Sequence, residues 1–238
     1  MKKIFIATAF ITLMFSSLTI FGQSQAREDL LKQIATKRAE LSKLEKAFLS
    51  PSAEDLAAYA DFLRQPNTGL IRLLPREYGN SVEQNGFTMR GGGAYYSFKD
   101  RTHEYVNSTD LSLEQGYFST GFAGANYGML ASLGDVPLES VSLEGSAAQV
   151  FAQYTPAADE PHARIEQRRT SEGGTLNGVS FKNRQIRQLN STYLLRSVNY
   201  SSSDSLVAFK VVRIDDDDTV IILWKLLKKY PTPYLARN

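Results

Sequence analysis

Three runs near the C-terminus narrow the fold most: TYLLRSVNY (192–200), SLVAFKVVRI (205–214) and TVIILWKLL (219–227). Each is rich in β-branched, aromatic and aliphatic residues, and only SSSD and DDDD separate them. Strand formers joined by short polar turns predict an antiparallel three-stranded meander. The last run, VIILW, is apolar at consecutive positions, so both of its faces need cover and it belongs inside a sheet rather than at an edge. Trp224 is expected to anchor that core.

The N-terminal third has a different period. Over residues 27–49, Leu30, Ile34, Leu41, Leu44 and Phe48 recur at spacings of three, four or seven, with Lys, Arg and Glu between them. That places the apolar set on one helical face. In SPSAED, Ser50 or Ser52 can cap a second helix running to about Arg64, and Glu54 and Asp55 suit its positive end. The two helices are expected to form a hairpin over 27–66 and to cover the sheet. Residues 67–85 read as a linker or short helical turn, although LIRLLP would also fit an extended segment. From residue 86 onward Gly, Ser, Thr and aromatics dominate. The fold class expected is therefore α+β: an N-terminal helical hairpin, then a mainly antiparallel β-sheet domain (86–238) ending in the meander.

Residues 1–26 carry the pattern of a secretory signal peptide. Lys2 and Lys3 precede an apolar stretch over 4–21, and Ser24 and Ala26 stand at positions −3 and −1 of a cleavage site. The apolar run is long for such a leader, so a retained membrane anchor is the alternative. The chain contains no cysteine, which removes both a lipidated cysteine after the leader and any disulfide. Together with the MKKIF start, this predicts a bacterial exported protein, periplasmic or extracellular, with no membrane contact once the leader is cut. Without the leader the chain has 25 basic and 25 acidic residues, a balance unsuited to a nucleic-acid-binding protein. Residues 164–196 are locally basic, which fits a solvated face or a patch for an anionic partner.

The residues that could carry chemistry concentrate in RGGGAYYSFKDRTHEY (90–105) and just beyond it. His103 beside Glu104 could act as a base or metal ligand. The second histidine, His162, lies far off in sequence, and there is no HExxH motif or cysteine pair, so neither a dedicated zinc or iron site nor any other cofactor is expected. Glu104, Asp110 and Glu114 are the carboxylates that could pair for glycoside hydrolysis. The acidic quartet at 215–218, Asp215 and Asp217 in particular, could attract calcium. It lacks the glycine and glutamate of an EF-hand loop, and the flanking strands already explain it as a hairpin turn.

The aromatics form the denser signal. Tyr95, Tyr96, Phe98, Tyr105, Tyr117, Phe118, Phe122 and Tyr127 fall within one glycine-rich stretch. On alternating strands about half should face the core, and the rest would form an amphipathic surface fit for stacking on sugars or gripping a peptide. The ligand-binding residues expected are Arg90, Tyr95, Tyr96, Arg101, His103, Tyr105 and Tyr127. The function this predicts is a secreted or periplasmic, non-enzymatic binding or structural module with a glycan or protein partner. The alternatives are a cell-envelope hydrolase using the carboxylates above, and a protein whose N-terminal helices dock a partner.

Overall fold

The computed structural model describes residues 4–80 and 87–236, with the side chains of 4–24, 79 and 80 excepted. The signal-peptide reading of 1–26 thus falls almost wholly outside the described side chains. Among the described residues no helix is long and apolar enough to cross a membrane. The chain divides into two units, Met1–Lys46 and Ala47–Asn238. Helix α1, Ile4–Phe48, supplies the described residues of the first and ends two residues beyond it, and Leu30, Leu31, Ile34 and Leu44 on it are exposed.

The second unit is α+β. In order it contains α2 (Ala53–Ala58), α3 (Ala60–Leu63), β1 (Thr68–Leu73), α4 (Arg76–Asn80), β2 (Tyr95–Tyr96), β3 (Leu111–Glu114), β4 (Tyr117–Ser119) and β5 (Tyr127–Gly134). A 3-10 turn at Leu138–Ser140 leads to α5 (Ser146–Gln153) and α6 (Glu160–Glu172). The small strands β6 (Gly174–Leu176), β7 (Val179–Phe181) and β8 (Arg184–Ile186) come next. The chain then enters β9 (Thr192–Asn199), β10 (Ser203–Ile214) and β11 (Val220–Lys229).

The meander forms as its sequence predicts. The main sheet runs β1-β11-β10-β9-β5 with every pairing antiparallel, and β11 lies inside it between β1 and β10. Alternation then sorts its side chains. Val220, Ile222 and Trp224 enter one core layer, while Ile221 and Leu223 enter another. The first layer is closed by a second antiparallel sheet, β2-β3-β4-β8, through Tyr96, Phe98, Leu111, Leu113 and Phe118. The second layer is closed by Phe62 of α3, Leu138 of the 3-10 turn and Phe151 of α5. The N-terminal helices, expected to cover the sheet, share that role in this unit with the 3-10 turn and α5. Their contribution within this unit is Phe62, with Tyr59 and Leu63 beside it.

The segment 67–85 holds an extended piece, β1, followed by a short helical turn, α4. β1 pairs with β11 from Thr68 opposite Lys225 to Leu73 opposite Val220. A short apolar run looks the same in a strand and in a helical turn, and only its distant partner decides which forms. Ser52 caps α2 as expected. Its hydroxyl accepts from the Asp55 amide at 3.0 Å while Asp55 accepts the Ser52 amide at 3.2 Å. Asp55 also pairs with Arg213 of β10, whose Nε donates to Asp215 at 2.6 Å. One guanidinium so joins α2 to the turn after β10.

Trp224 is the seam between the sheets. Phe98 meets it edge-on at 5.2 Å and Arg101 lies over it at 5.4 Å. Its register partner across the ladder is Gly69, where a Cβ would come within 2.6 Å of the indole. Gly69→Ala is therefore expected to destabilise the fold by about 1–3 kcal/mol through overpacking. Urea unfolding monitored by Trp224 fluorescence measures this. A variant as stable as the parent would show that the indole is free to shift.

Candidate functional site

The glycines of RGGG build the site. Gly91, Gly92 and Gly93 all have positive φ, at 98°, 57° and 82°. Such a run is open to glycine at little cost and strained for other residues. The turn brings the Arg90 carbonyl to the Tyr105 amide at 2.7 Å and the Gly93 carbonyl to the Leu74 amide at 3.1 Å. It also lets the Tyr95 ring lie over Gly91, where a Cβ would sit 2.6 Å from the ring. The segments around Arg90, Tyr95 and Tyr105 are thereby drawn together.

The aromatic side chains then nest. Tyr95 meets Tyr105 edge-on with centroids 4.9 Å apart, and Phe122 at 5.3 Å. The Arg90 guanidinium lies over the Tyr105 ring at 4.6 Å, and the Tyr105 hydroxyl donates to the Phe122 carbonyl at 3.4 Å. These groups line an open cleft of about 500 Å³ together with Arg76, Phe87, Met89 and the backbone of Gly91 and Gly92. Arg76 reaches it from α4 and donates to Glu114 of β3 at 3.2 Å, while Glu77 accepts the Gln115 amide at 3.0 Å. Both contacts hold α4 against the β3–β4 turn. Burial raises the Tyr95 phenol above its ordinary pKa, with the nearby Arg76 charge opposing the rise, so the ring presents a neutral hydroxyl.

Of the residues predicted from sequence, Arg90, Tyr95 and Tyr105 meet at this cleft. Tyr96 does not. It is buried between Phe98, His103 and Trp224 in the first core layer. Tyr127 is also buried, its hydroxyl 2.8 Å from that of Tyr154. Arg101, over Trp224, lines a separate cleft of about 200 Å³ with Phe98, Lys99 and Lys229. His103 is half-buried beneath β1, and its Nε2 donates to the Arg72 carbonyl at 2.7 Å. Burial lowers its pKa to about 4, so the imidazole is neutral and offers no cation to a ligand, and its Nε2 is engaged by the Arg72 carbonyl. Density of aromatics marked the right stretch, but alternation along two-residue β2 divides Tyr95 from Tyr96, one to the cleft and one to the core.

The carboxylates separate as well. Glu104 is exposed. Asp110 is 0% exposed, accepts the Phe98 amide at 2.8 Å and the Asn199 side-chain amide at 3.1 Å, and is pushed up to about 7 by burial. An enclosed carboxyl that ties the second sheet to β9 cannot share an open site with Glu104. Asp215 accepts from Arg213, Asp217 accepts the Thr219 amide at 3.1 Å, and Asp218 pairs with Arg187. The quartet is thus a hairpin turn in which three of the four carboxylates, those of Asp215, Asp217 and Asp218, are engaged. Among the described residues no group of three or more His, Asp or Glu side chains converges as for a metal.

No protein-family model, curated protein or solved structure matches the chain. The cleft is therefore interpreted from its own chemistry. Four of its side chains, Arg76, Phe87, Met89 and Phe122, are not among the ligand residues expected from sequence. Phe122 belongs to the aromatic stretch and was detectable there. Arg76 comes from a segment without any local signal, and only the docking of α4 on β3 delivers it.

His103 also sets a pH dependence. The unfolded chain takes up this proton near 6.5 and the folded chain near 4, so its contribution to stability is lost as pH falls through that window. Asp110 acts oppositely. It holds its proton to about 7 when folded but releases it near 3.8 when unfolded, so its contribution is lost as pH rises through 3.8–7. In the parent protein the two slopes offset one another. His103→Gln removes one of them, so the stability penalty of that variant is expected to shrink by about 2 kcal/mol between neutral pH and pH 4. Denaturant titrations of both proteins across this range check it, and a constant penalty would contradict a buried neutral His103.

Proposed function

We propose that this protein is an exported, non-enzymatic binding module that grips a saccharide in the cleft formed by Arg90, Tyr95, Tyr105 and Phe122. The observation that carries the reading is the nested set of half-buried rings opening onto a cleft of about 500 Å³. Aromatic rings offer apolar faces and edges to the C–H side of a sugar, and arginine and tyrosine donors suit its hydroxyls. The rings are held by one another and by the glycine turn, so little side-chain entropy is lost on binding. The leader pattern of residues 1–26 supports export to the periplasm or beyond, where such ligands are displayed. Enclosure of Asp110 and pairing of Glu114 with Arg76 favour binding over carboxylate hydrolysis.

The exposed Leu30, Leu31, Ile34 and Leu44 on α1 favour a second role, docking of a protein partner along that helix. The two roles use different parts of the chain and can coexist.

Screening the purified protein against oligosaccharides by thermal shift tests the cleft. Tyr105→Ala is expected to weaken binding of any hit by about tenfold, whereas Glu104→Gln leaves both binding and the fate of the sugar unchanged. Loss of a slow turnover on Glu104→Gln, with binding retained, would instead identify a hydrolase.

A further inference from the structure

We infer that the saccharide held in this cleft is acidic, its anionic group being read by Arg90 and Arg76; the inference rests on the saccharide reading above. Both guanidinium groups line the same opening, and among the described residues no Asp or Glu side chain lines it with them. A concave surface with two like charges raises the local concentration of oppositely charged ligands and penalises cationic ones. Neutral sugars need no such pair.

The placement of Arg90 sharpens the point. Its guanidinium carbon lies over the Tyr105 ring, a contact made through the cation's charge that uses none of its hydrogen-bond donors on a carboxylate. A guanidinium carries five donors in a planar fork, which can grip two oxygens of one anionic group. Among the described residues no carboxylate pairs with Arg90. Arg76 is held by a single contact to Glu114, both side chains being partly exposed at 44% and 36%. A solvated pair of this kind is worth little and yields readily to a ligand. Arg90 thus serves as the primary reader and Arg76 as a second charge lining the same cleft. The sugar ring to which the anion is attached meets Tyr95, Tyr105 and Phe122.

A carboxylate offers two coplanar oxygens and a sulfate ester a tripod of three, and a guanidinium fork accepts either, so the test must separate them. The purified protein is titrated against a panel of uronic-acid oligosaccharides, their methyl esters, sulfated oligosaccharides and neutral oligosaccharides of equal length. At about 50 mM salt the best acid is expected to bind roughly tenfold more tightly than its uncharged counterpart, and the gap to narrow at about 500 mM. Arg90→Gln should weaken the acid far more than the ester and so abolish the preference between them, and Arg76→Gln should do so in part. Preference for the uronic acid assigns a carboxylate and preference for the sulfated sugar assigns a sulfate; either supports the inference. Equal binding of acid and ester, with both lost in Tyr105→Ala, would overturn the charge reading and keep the saccharide one. Acid preference undiminished in both arginine variants would also overturn it. Binding of no saccharide in any class would overturn both readings.

Discussion

Strand β11 is apolar on both faces, and the rest of the second unit follows from the need to cover it. An open antiparallel sheet can leave one side wet, but VIILW leaves no side that water can touch without cost. One face takes a second sheet and the other takes short helices. The layered α+β arrangement is the outcome, with Trp224 at the junction of the two sheets and Gly69 opposite it to make room.

Covering a sheet with short irregular elements leaves polar groups inside, and these are matched rather than abandoned. Arg196, at 0% exposure, forms a two-pronged pair with Asp204 at 2.6 and 2.8 Å and donates to the Phe151 carbonyl at 3.1 Å, which fastens the end of α5 to the sheet. Asp110 does the same for the second sheet. Buried charges of this kind cost desolvation and add little net stability, but they punish wrong layer placements severely. The candidate cleft lies at the margin of the second sheet, where the glycine turn leads into β2. Its walls are therefore fixed by the core behind them: Tyr96 is buried one residue from Tyr95, and the Leu113 amide bonds the Ala94 carbonyl at 3.0 Å. A binding surface with one wall rooted in the core is pre-organised, which suits recognition by stacking.

The meander, the capped helix at Ser52 and the general site of the aromatic surface were readable in the sequence because each rests on local signals: period, cap chemistry and residue density. β1 was readable only as one of two options, extended or helical, since LIRLL carries no information about its pairing with 220–225. Helices α5 and α6 were hidden for a different reason. α5 is short, and α6 is strongly polar with few apolar positions to mark its buried face, although Asp159 caps it by accepting the His162 amide at 3.0 Å. At the cleft, the sequence could nominate both Tyr95 and Tyr96 but not choose between them. Alternation gives a face only once the strand's neighbours are known, and His103 and Tyr127 were drawn to the core by partners distant in the chain.

Hydrogen–deuterium exchange on the purified protein reads most directly whether the cleft is built on the covered sheet. The amides of β9, β10 and β11 should exchange at the rate of global unfolding, and those of Ala94, Tyr96 and Leu113 on the second sheet should share that limit. Exchange of the second sheet through a separate, low-energy opening, while β9–β11 stay protected, would contradict a single two-sheet core and remove the rigid wall on which the cleft depends.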